Sequence, residues 1–311
     1  MTVPAVADVA PRPALFLTSD RLNSLTGLDI TLASETLQYT GSFKFRGAFN
    51  TAAQTSASHL IGISSGNFGQ ALAFACKVHA KRCTIVMPET SSTAKIDAVR
   101  AYGARVELVD TRTTPRVVRQ AELLAEFPGA VGVYPSDGEP MLSGNESLGA
   151  EILTREPVFD AVIAPIGGGG VVVGLIRASR RLQSTTEIWA AEPTAANDVA
   201  QSFRNGRLTK LAAESASIAD GVRGLGLSEA NWSVVRDGCR DVIEVEESRI
   251  VEATRLLFSL ANLKAEPTGA LALAAAMTQP QSFVGKRVCC VVTGGNVDPE
   301  LYASILAPAD R

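Results

Sequence analysis

Two spacings of apolar residues alternate along the chain. Short runs rich in valine and isoleucine occupy residues 84–87, 105–109, 131–134, 161–166, 187–191 and 287–292. Each is long enough for a strand and too short for a helix, so each predicts a β-strand. Between them lie alanine-rich stretches with apolar positions at helical spacing, at 70–79, 94–102, 115–126, 171–181, 247–260 and 268–277, and these predict helices. Runs such as Ala161-Val-Ile-Ala-Pro-Ile166 and Val288-Cys-Cys-Val-Val292 contain no polar position, as in strands covered on both faces. The alternation therefore predicts an α/β fold with parallel sheets covered by helices.

Composition adds mainly exclusions. With 311 residues, 46% hydrophobic and 20% charged, the chain can bury a large core, and its length predicts two lobes. A net charge of −3 without a lysine or arginine run leaves no footprint for nucleic acid, and no apolar run reaches the length of a membrane span. Small molecules are the expected partners. The first twenty residues hold prolines, Arg12 and Asp20 but no continuous apolar segment, which predicts no signal peptide and a cytoplasmic protein. Cys76, Cys83, Cys239, Cys289 and Cys290 form no C-x-x-C pair and read as buried thiols. The two histidines, His59 and His79, sit in no polar cluster, which argues against a histidine zinc site and a Ser-His-Asp triad.

Candidate chemistry starts at Thr40-Gly-Ser-Phe-Lys-Phe-Arg-Gly-Ala48, where Lys44 stands among an aromatic, small residues and glycines. A lysine in a partly desolvated setting loses its proton more readily, and the neutral amine can form a Schiff base with an aldehyde. Three loops punctuate strand ends: Ser64-Ser-Gly-Asn-Phe-Gly-Gln70, Gly167-Gly-Gly-Gly170 and Thr293-Gly-Gly-Asn296. Ligands of open α/β sheets bind at such ends. Four glycines between a buried strand and a helix can bring backbone N–H groups together as an anion cradle, or can simply make a tight turn. The loop lacks a Walker lysine and G-x-G-x-x-G spacing, so a phosphate ester is expected ahead of ATP or NAD.

Taken in order, GSFKFRGA, SSGNFGQA, the AYGA of 101–104, GGGG, SIADG, EPTGA and TGGN resemble the fold type II pyridoxal-phosphate enzymes, whose fold is that of the tryptophan synthase β subunit. Within that group they are most similar to the serine/threonine dehydratase and serine racemase branch. The resemblance implies that Lys44 carries the aldehyde of pyridoxal 5'-phosphate and that Phe43 flanks its ring. It implies phosphate binding by Gly167, Gly168, Gly169 and Gly170, and a hydrogen bond from Asn67 to the ring hydroxyl. Ser64, Ser65, Gly66, Asn67 and Phe68 would receive the substrate, and Thr293 would face the pyridine nitrogen. Glu266 and Asp220 match positions near the cofactor, with turn and capping roles as alternatives. A neutral hydroxyl cannot hold the nitrogen protonated as an aspartate could, which favours β-elimination over transamination.

The implied reaction is dehydration and deamination of a β-hydroxy amino acid such as L-serine or L-threonine, giving a 2-oxo acid and ammonia, with the Lys44 amine removing the Cα proton. The alternatives are a serine-type racemase, with Ser65 as a second proton carrier and not a plain loop donor, and a β-replacement enzyme of specialised metabolism. A cofactor-binding protein without catalysis is the reading of a different class. Glu192, the Ala196 carbonyl and Asp198 have the spacing at which relatives bind Mg²⁺ or Ca²⁺, although Asp198 could instead cap a helix.

Two departures from the family pattern stand out. Phe68 replaces a usual histidine, reading as a change in substrate preference or as packing under the loop, and Ser143-Gly-Asn-Glu-Ser147 replaces a loop bordering the substrate. Arg116 roughly matches a polar position of racemases but reads as a solvated side chain. The expected lobes are residues 1–55 with 137–311, holding the cofactor, and residues 56–136, closing over the substrate. A homodimer is the family expectation, and the short stretch after the Thr293 loop predicts no regulatory domain of the kind found in biosynthetic threonine deaminases.

Overall fold

The computed structural model describes residues 9–307; residues 1–8, the start of the segment read above for a signal peptide, lie outside the described residues. The chain opens with β1 (Leu15–Thr18), α1 (Asp20–Thr26) and β2 (Asp29–Ser34), then α2 (Lys44–Gln54), β3 (His59–Ile63), α3 (Asn67–Val78) and β4 (Arg82–Pro88). Next come α4 (Thr93–Ala101), β5 (Arg105–Val109), α5 (Arg116–Glu126), β6 (Val131–Val133), α6 (Glu139–Leu153), β7 (Ala161–Pro165), α7 (Gly170–Leu182) and β8 (Glu187–Pro193). The remainder is α8 (Asp198–Asn205), α9 (Glu229–Gly238), β9 (Asp241–Val245), α10 (Glu247–Ala261), α11 (Pro267–Thr278), β10 (Arg287–Val292) and α12 (Pro299–Leu306). Every run predicted from periodicity is present as the expected element. No helix among the described residues is long and apolar enough to cross a membrane.

Two compact units result, one from residues 9–12 with Gln38–Asn145 and the other from Pro13–Leu37 with residues 146–307. Lys44, read above into the larger lobe, groups with the first unit because α2 packs along α3.

The first unit holds a four-stranded sheet in the order β5-β4-β3-β6, parallel throughout. Central β3 carries Gly62, where a Cβ would stand 2.7 Å from Leu72 Cδ2, so the glycine lets α3 lie close to the sheet. Phe45 of α2 is fully buried and anchors an aromatic cluster with Tyr39, Phe49 and Phe74, at centroid distances of 5.1, 5.3 and 5.8 Å. Phe45 is thus the core anchor of the lysine motif. The next residue, Arg46, is also fully buried and donates from Nη2 to the Arg12 carbonyl at 3.0 Å.

The second unit holds a six-stranded sheet in the order β1-β2-β10-β7-β8-β9, antiparallel only between β1 and β2. Helix α11 is apolar all round and lies in the core of this unit, as such a helix must. Strands β10 and β7 are parallel neighbours with Cys290 opposite Ile163, and both end two residues later. The Thr293 turn and the tetraglycine loop therefore leave the same edge side by side, where ligands of α/β sheets bind.

Candidate active site

In the first unit, Gly41 adopts φ 72°, a conformation suited to glycine, and turns the chain into α2. Lys44 is the first residue of α2 and Phe43 its N-cap. The Lys44 side chain is half-buried, with Nζ 4.9 Å from the centre of the Phe43 ring and donating to the Pro135 carbonyl at 2.9 Å. Ser42, two residues before it, is completely buried, and its Oγ makes no hydrogen bond.

The serine loop belongs to the same unit and is shorter than the sequence suggested, because Asn67 and Phe68 already lie in the first turn of α3. Ser64 is buried and its Oγ accepts from the N–H of Gly66 at 3.1 Å and of Gly69 at 2.8 Å, so it closes the loop onto the helix start. Ser65 is exposed and Asn67 half-buried. Of the two readings of Phe68, the structure shows packing: the side chain is 3% exposed and sits among Leu60, Leu72 and Ile85. Period explains this orientation, since Phe68, Ala71, Leu72 and Ala75 share one face of α3.

The segment 143–147, expected as a loop, lies inside α6. Gly144 makes this possible: a Cβ there would stand 2.6 Å from the Arg46 carbonyl oxygen and 2.8 Å from Gly47 Cα, so the glycine lets α6 approach the lysine helix. Asn50 of α2 reinforces the contact through Nδ2, donating to the Pro140 carbonyl at 2.6 Å and to Ser143 Oγ at 2.9 Å. Arg116 begins α5 and is half-buried.

In the second unit the motifs converge. Gly169, at φ 89°, caps α7, and the Gly168 carbonyl accepts a 2.8 Å hydrogen bond from Asn231 Nδ2. A Cβ on Gly167 would stand 2.9 Å from Val222 Cα, so the residue directly after the SIADG segment presses on the glycine loop. Asp220 opens the short helical turn of this segment, and the Gly221 N–H donates to Thr268 Oγ1 at 2.9 Å. Glu266 is buried at the start of α11; its own N–H donates to the Gly294 carbonyl at 3.1 Å, joining this helix to the Thr293 turn. Thr293 is 3% exposed, and its Oγ1 makes no hydrogen bond, leaving a buried hydroxyl ready for an outside partner.

At the expected cation position, Glu192 is completely buried at the end of β8. Its carboxylate accepts from the N–H groups of Val199 at 3.3 Å and Ala200 at 2.6 Å, so Glu192 caps α8 in the role considered for Asp198. Asp198 makes no side-chain cap, and its buried Oδ2 has no hydrogen bond. Burial, reinforced by the neighbouring Asp198 and Glu244 carboxylates, pushes the Glu192 carboxyl well above its usual range, and burial pushes Asp198 up to about 6. Among the described residues, no three or more His, Cys, Asp and Glu side chains form a metal cluster.

The remaining titratable candidates carry packing roles. All five cysteines are free and buried. His59 Nε2 shares a 2.9 Å hydrogen bond with Thr84 Oγ1, and the His79 ring stands 4.8 Å from that of Phe49.

Comparison with known proteins gives the same picture. A family model described as "Pyridoxal-phosphate dependent enzyme" matches residues 9–294. The L-threo-3-hydroxyaspartate ammonia-lyase of Pseudomonas sp is 36% identical over 293 residues, covering 93% of this chain and 91% of that protein. Serine racemase of Mus musculus is 36% identical over 293 residues, covering 91% of this chain and 86% of that protein. The solved structure of maize serine racemase has a TM-score of 0.89 at 31% identity, covering 95% of this chain and 92% of that one. The match begins before the lysine helix and ends inside the Thr293 turn, and the chain belongs to the pyridoxal-phosphate-dependent enzymes.

Proposed function

We propose that this enzyme is an ammonia-lyase that dehydrates and deaminates a β-hydroxy amino acid to a 2-oxo acid and ammonia. The observation that carries this reading is the buried Thr293 hydroxyl at the strand edge it shares with the tetraglycine loop. Pyridoxal phosphate, when bound, supplies an aldehyde that joins amines and a ring that withdraws electrons from the Cα of the joined amino acid. Lys44 would hold it, Phe43 would flank it, and Gly167, Gly168, Gly169 and Gly170 would take its phosphate at the N-terminus of α7.

Each remaining residue has a task of its own. Thr293 would offer the ring nitrogen a neutral hydroxyl, which could not hold it protonated and so would favour elimination over transamination. Ser64, Gly66 and Asn67, at the positive end of α3, would receive the substrate carboxylate. Lys44 Nζ would take the Cα proton.

Glu192, the Ala196 carbonyl and Asp198 would hold a Mg²⁺ or Ca²⁺ ion. The unpartnered Asp198 Oδ2, beside a second buried carboxylate, supports this, since a hard cation would balance both charges.

Racemisation is the second reading, favoured by the exposure of Ser65, which leaves its hydroxyl accessible as a proton donor. The test is a panel of L- and D-β-hydroxy amino acids, including serine, threonine and 3-hydroxyaspartate, followed for 2-oxo acid, ammonia and the enantiomer composition of unreacted substrate. Oxo acid and ammonia without inversion are expected. Inversion with little oxo acid would move the assignment to racemase, and no turnover of any substrate would leave a cofactor-binding protein.

A further inference from the structure

A loop of four glycines leaves one orientation undecided. The peptide joining Gly168 and Gly169 has no Cβ on either side to bar it from turning over. That peptide is planar and trans, so its C=O and N–H point in opposite directions and a turn-over exchanges them. An anion placed beside the loop would be attracted by the N–H and repelled by the carbonyl.

The structure holds the choice in one side chain. Asn231, on the first turn of α9, is 1% exposed, and its Nδ2 donates to the Gly168 carbonyl at 2.8 Å. A carbonyl can only accept, so the amide atom facing it is the NH₂ group. The Gly169 N–H is thereby directed away from Asn231. The backbone that carries it is anchored in turn, since the main-chain N–H of Asn231 donates to the N-cap Ser228 Oγ at 3.3 Å. Gly169 also gives α9 its close approach: a Cβ there would stand 3.0 Å from Leu227 Cδ2 and 3.5 Å from Asn231 Nδ2.

We propose that Asn231 is a positioning residue for the cofactor phosphate, a latch that keeps the Gly168 carbonyl turned away from the anion and the Gly169 N–H turned toward it. This rests on the reading of the tetraglycine loop as the phosphate cradle. Asn231 acts through the Gly168 carbonyl, so its effect is on affinity for the phosphate group and not on proton transfer.

The test compares pyridoxal phosphate with pyridoxal, which lacks the phosphate, as ligands of the full-length chain freed of cofactor. Wild type is expected to prefer the phosphorylated form. Asn231→Leu should lower that preference about three- to tenfold, the worth of one hydrogen bond, and leave the affinity for pyridoxal unchanged. Asn231→Ala serves the same purpose if leucine is not accommodated. Val235→Ala, a buried residue of the same helix, controls for lost packing: its melting temperature should fall while the preference stays. A wild-type preference retained in the Asn231 variants would overturn the latch, as would an equal loss in Val235→Ala. A wild type that binds both ligands equally would overturn the cradle reading itself.

Discussion

Lys44 Nζ donates to the carbonyl of Pro135, so in this structure the amine at the start of α2 is held by a backbone oxygen 91 residues further along the chain. The bond joins the lysine to the segment between β6 and α6 and gives the nitrogen a defined position. Lys44→Ala is expected to lose the absorbance of the lysine-bound cofactor and to lower kcat by at least about 10²- to 10⁴-fold, the range for a positioned proton carrier. An absorbance spectrum with a turnover assay on the purified variant checks both, and retained activity would remove Lys44 from the reaction.

Ser64→Ala removes the acceptor for two N–H groups at the start of α3. The expected cost is about 1 kcal/mol of stability, as for the loss of a helix cap, with a larger KM and little change in kcat. Thermal unfolding and steady-state kinetics separate the two effects.

Phe68→Ala should destabilise the protein by about 3–5 kcal/mol, because it empties a packed site below the serine loop. Phe68→Leu should cost much less. Were the ring instead a substrate contact, both variants would shift KM while leaving the melting temperature near that of wild type.

Gly144→Ala tests the close approach of α6 to the lysine helix. Its Cβ would meet the backbone at Arg46 and Gly47, which cannot swing aside as a side chain can. A loss of about 1–3 kcal/mol is expected, together with reduced kcat, since α2 must shift to accept the methyl group. A variant as stable and as active as wild type would show that the two helices separate freely.

The buried carboxylates give a pH dependence of definite sign. The Asp198 carboxyl rises from 3.8 to about 6 in the folded protein, so between these values the folded state holds a proton that the unfolded state has lost. Stability in chelator should therefore fall as pH rises from about 4 to about 6, by up to about 3 kcal/mol from this group, and stay low above that. Mg²⁺ or Ca²⁺, binding the ionised pair, should restore it at neutral pH. Asp198→Asn should remove this group's share of the slope, leaving that of Glu192, and abolish the cation response. Melting curves across pH, with and without cation, decide this, and identical curves would remove the ion from the site.

Much of the fold was legible because its signals are local. An apolar run such as Val288-Cys-Cys-Val-Val292 can only be a strand buried on both faces, and the spacing of Pro267-Thr-Gly-Ala-Leu-Ala-Leu-Ala fits only a buried helix. The loops following β3, β7 and β10 stood out through their glycines. Strands β1, β2, β3 and β9 were not among the runs that periodicity singled out, and α2 escaped because Gly47 interrupts a run that opens on Lys44.

From residues alone, then, came the α/β class, the lysine and the glycine loops, while the pair Glu192 and Asp198 came through the family resemblance. Tertiary structure alone decided that Phe68 packs inward, that 143–147 is helical, that Glu192 caps α8 and that Asn231 grips Gly168. The physical reason is the same each time. A strand or helix is selected by neighbours a few residues away, whereas each of these depends on a partner brought close only when the chain has folded, 63 residues away for Asn231 and Gly168.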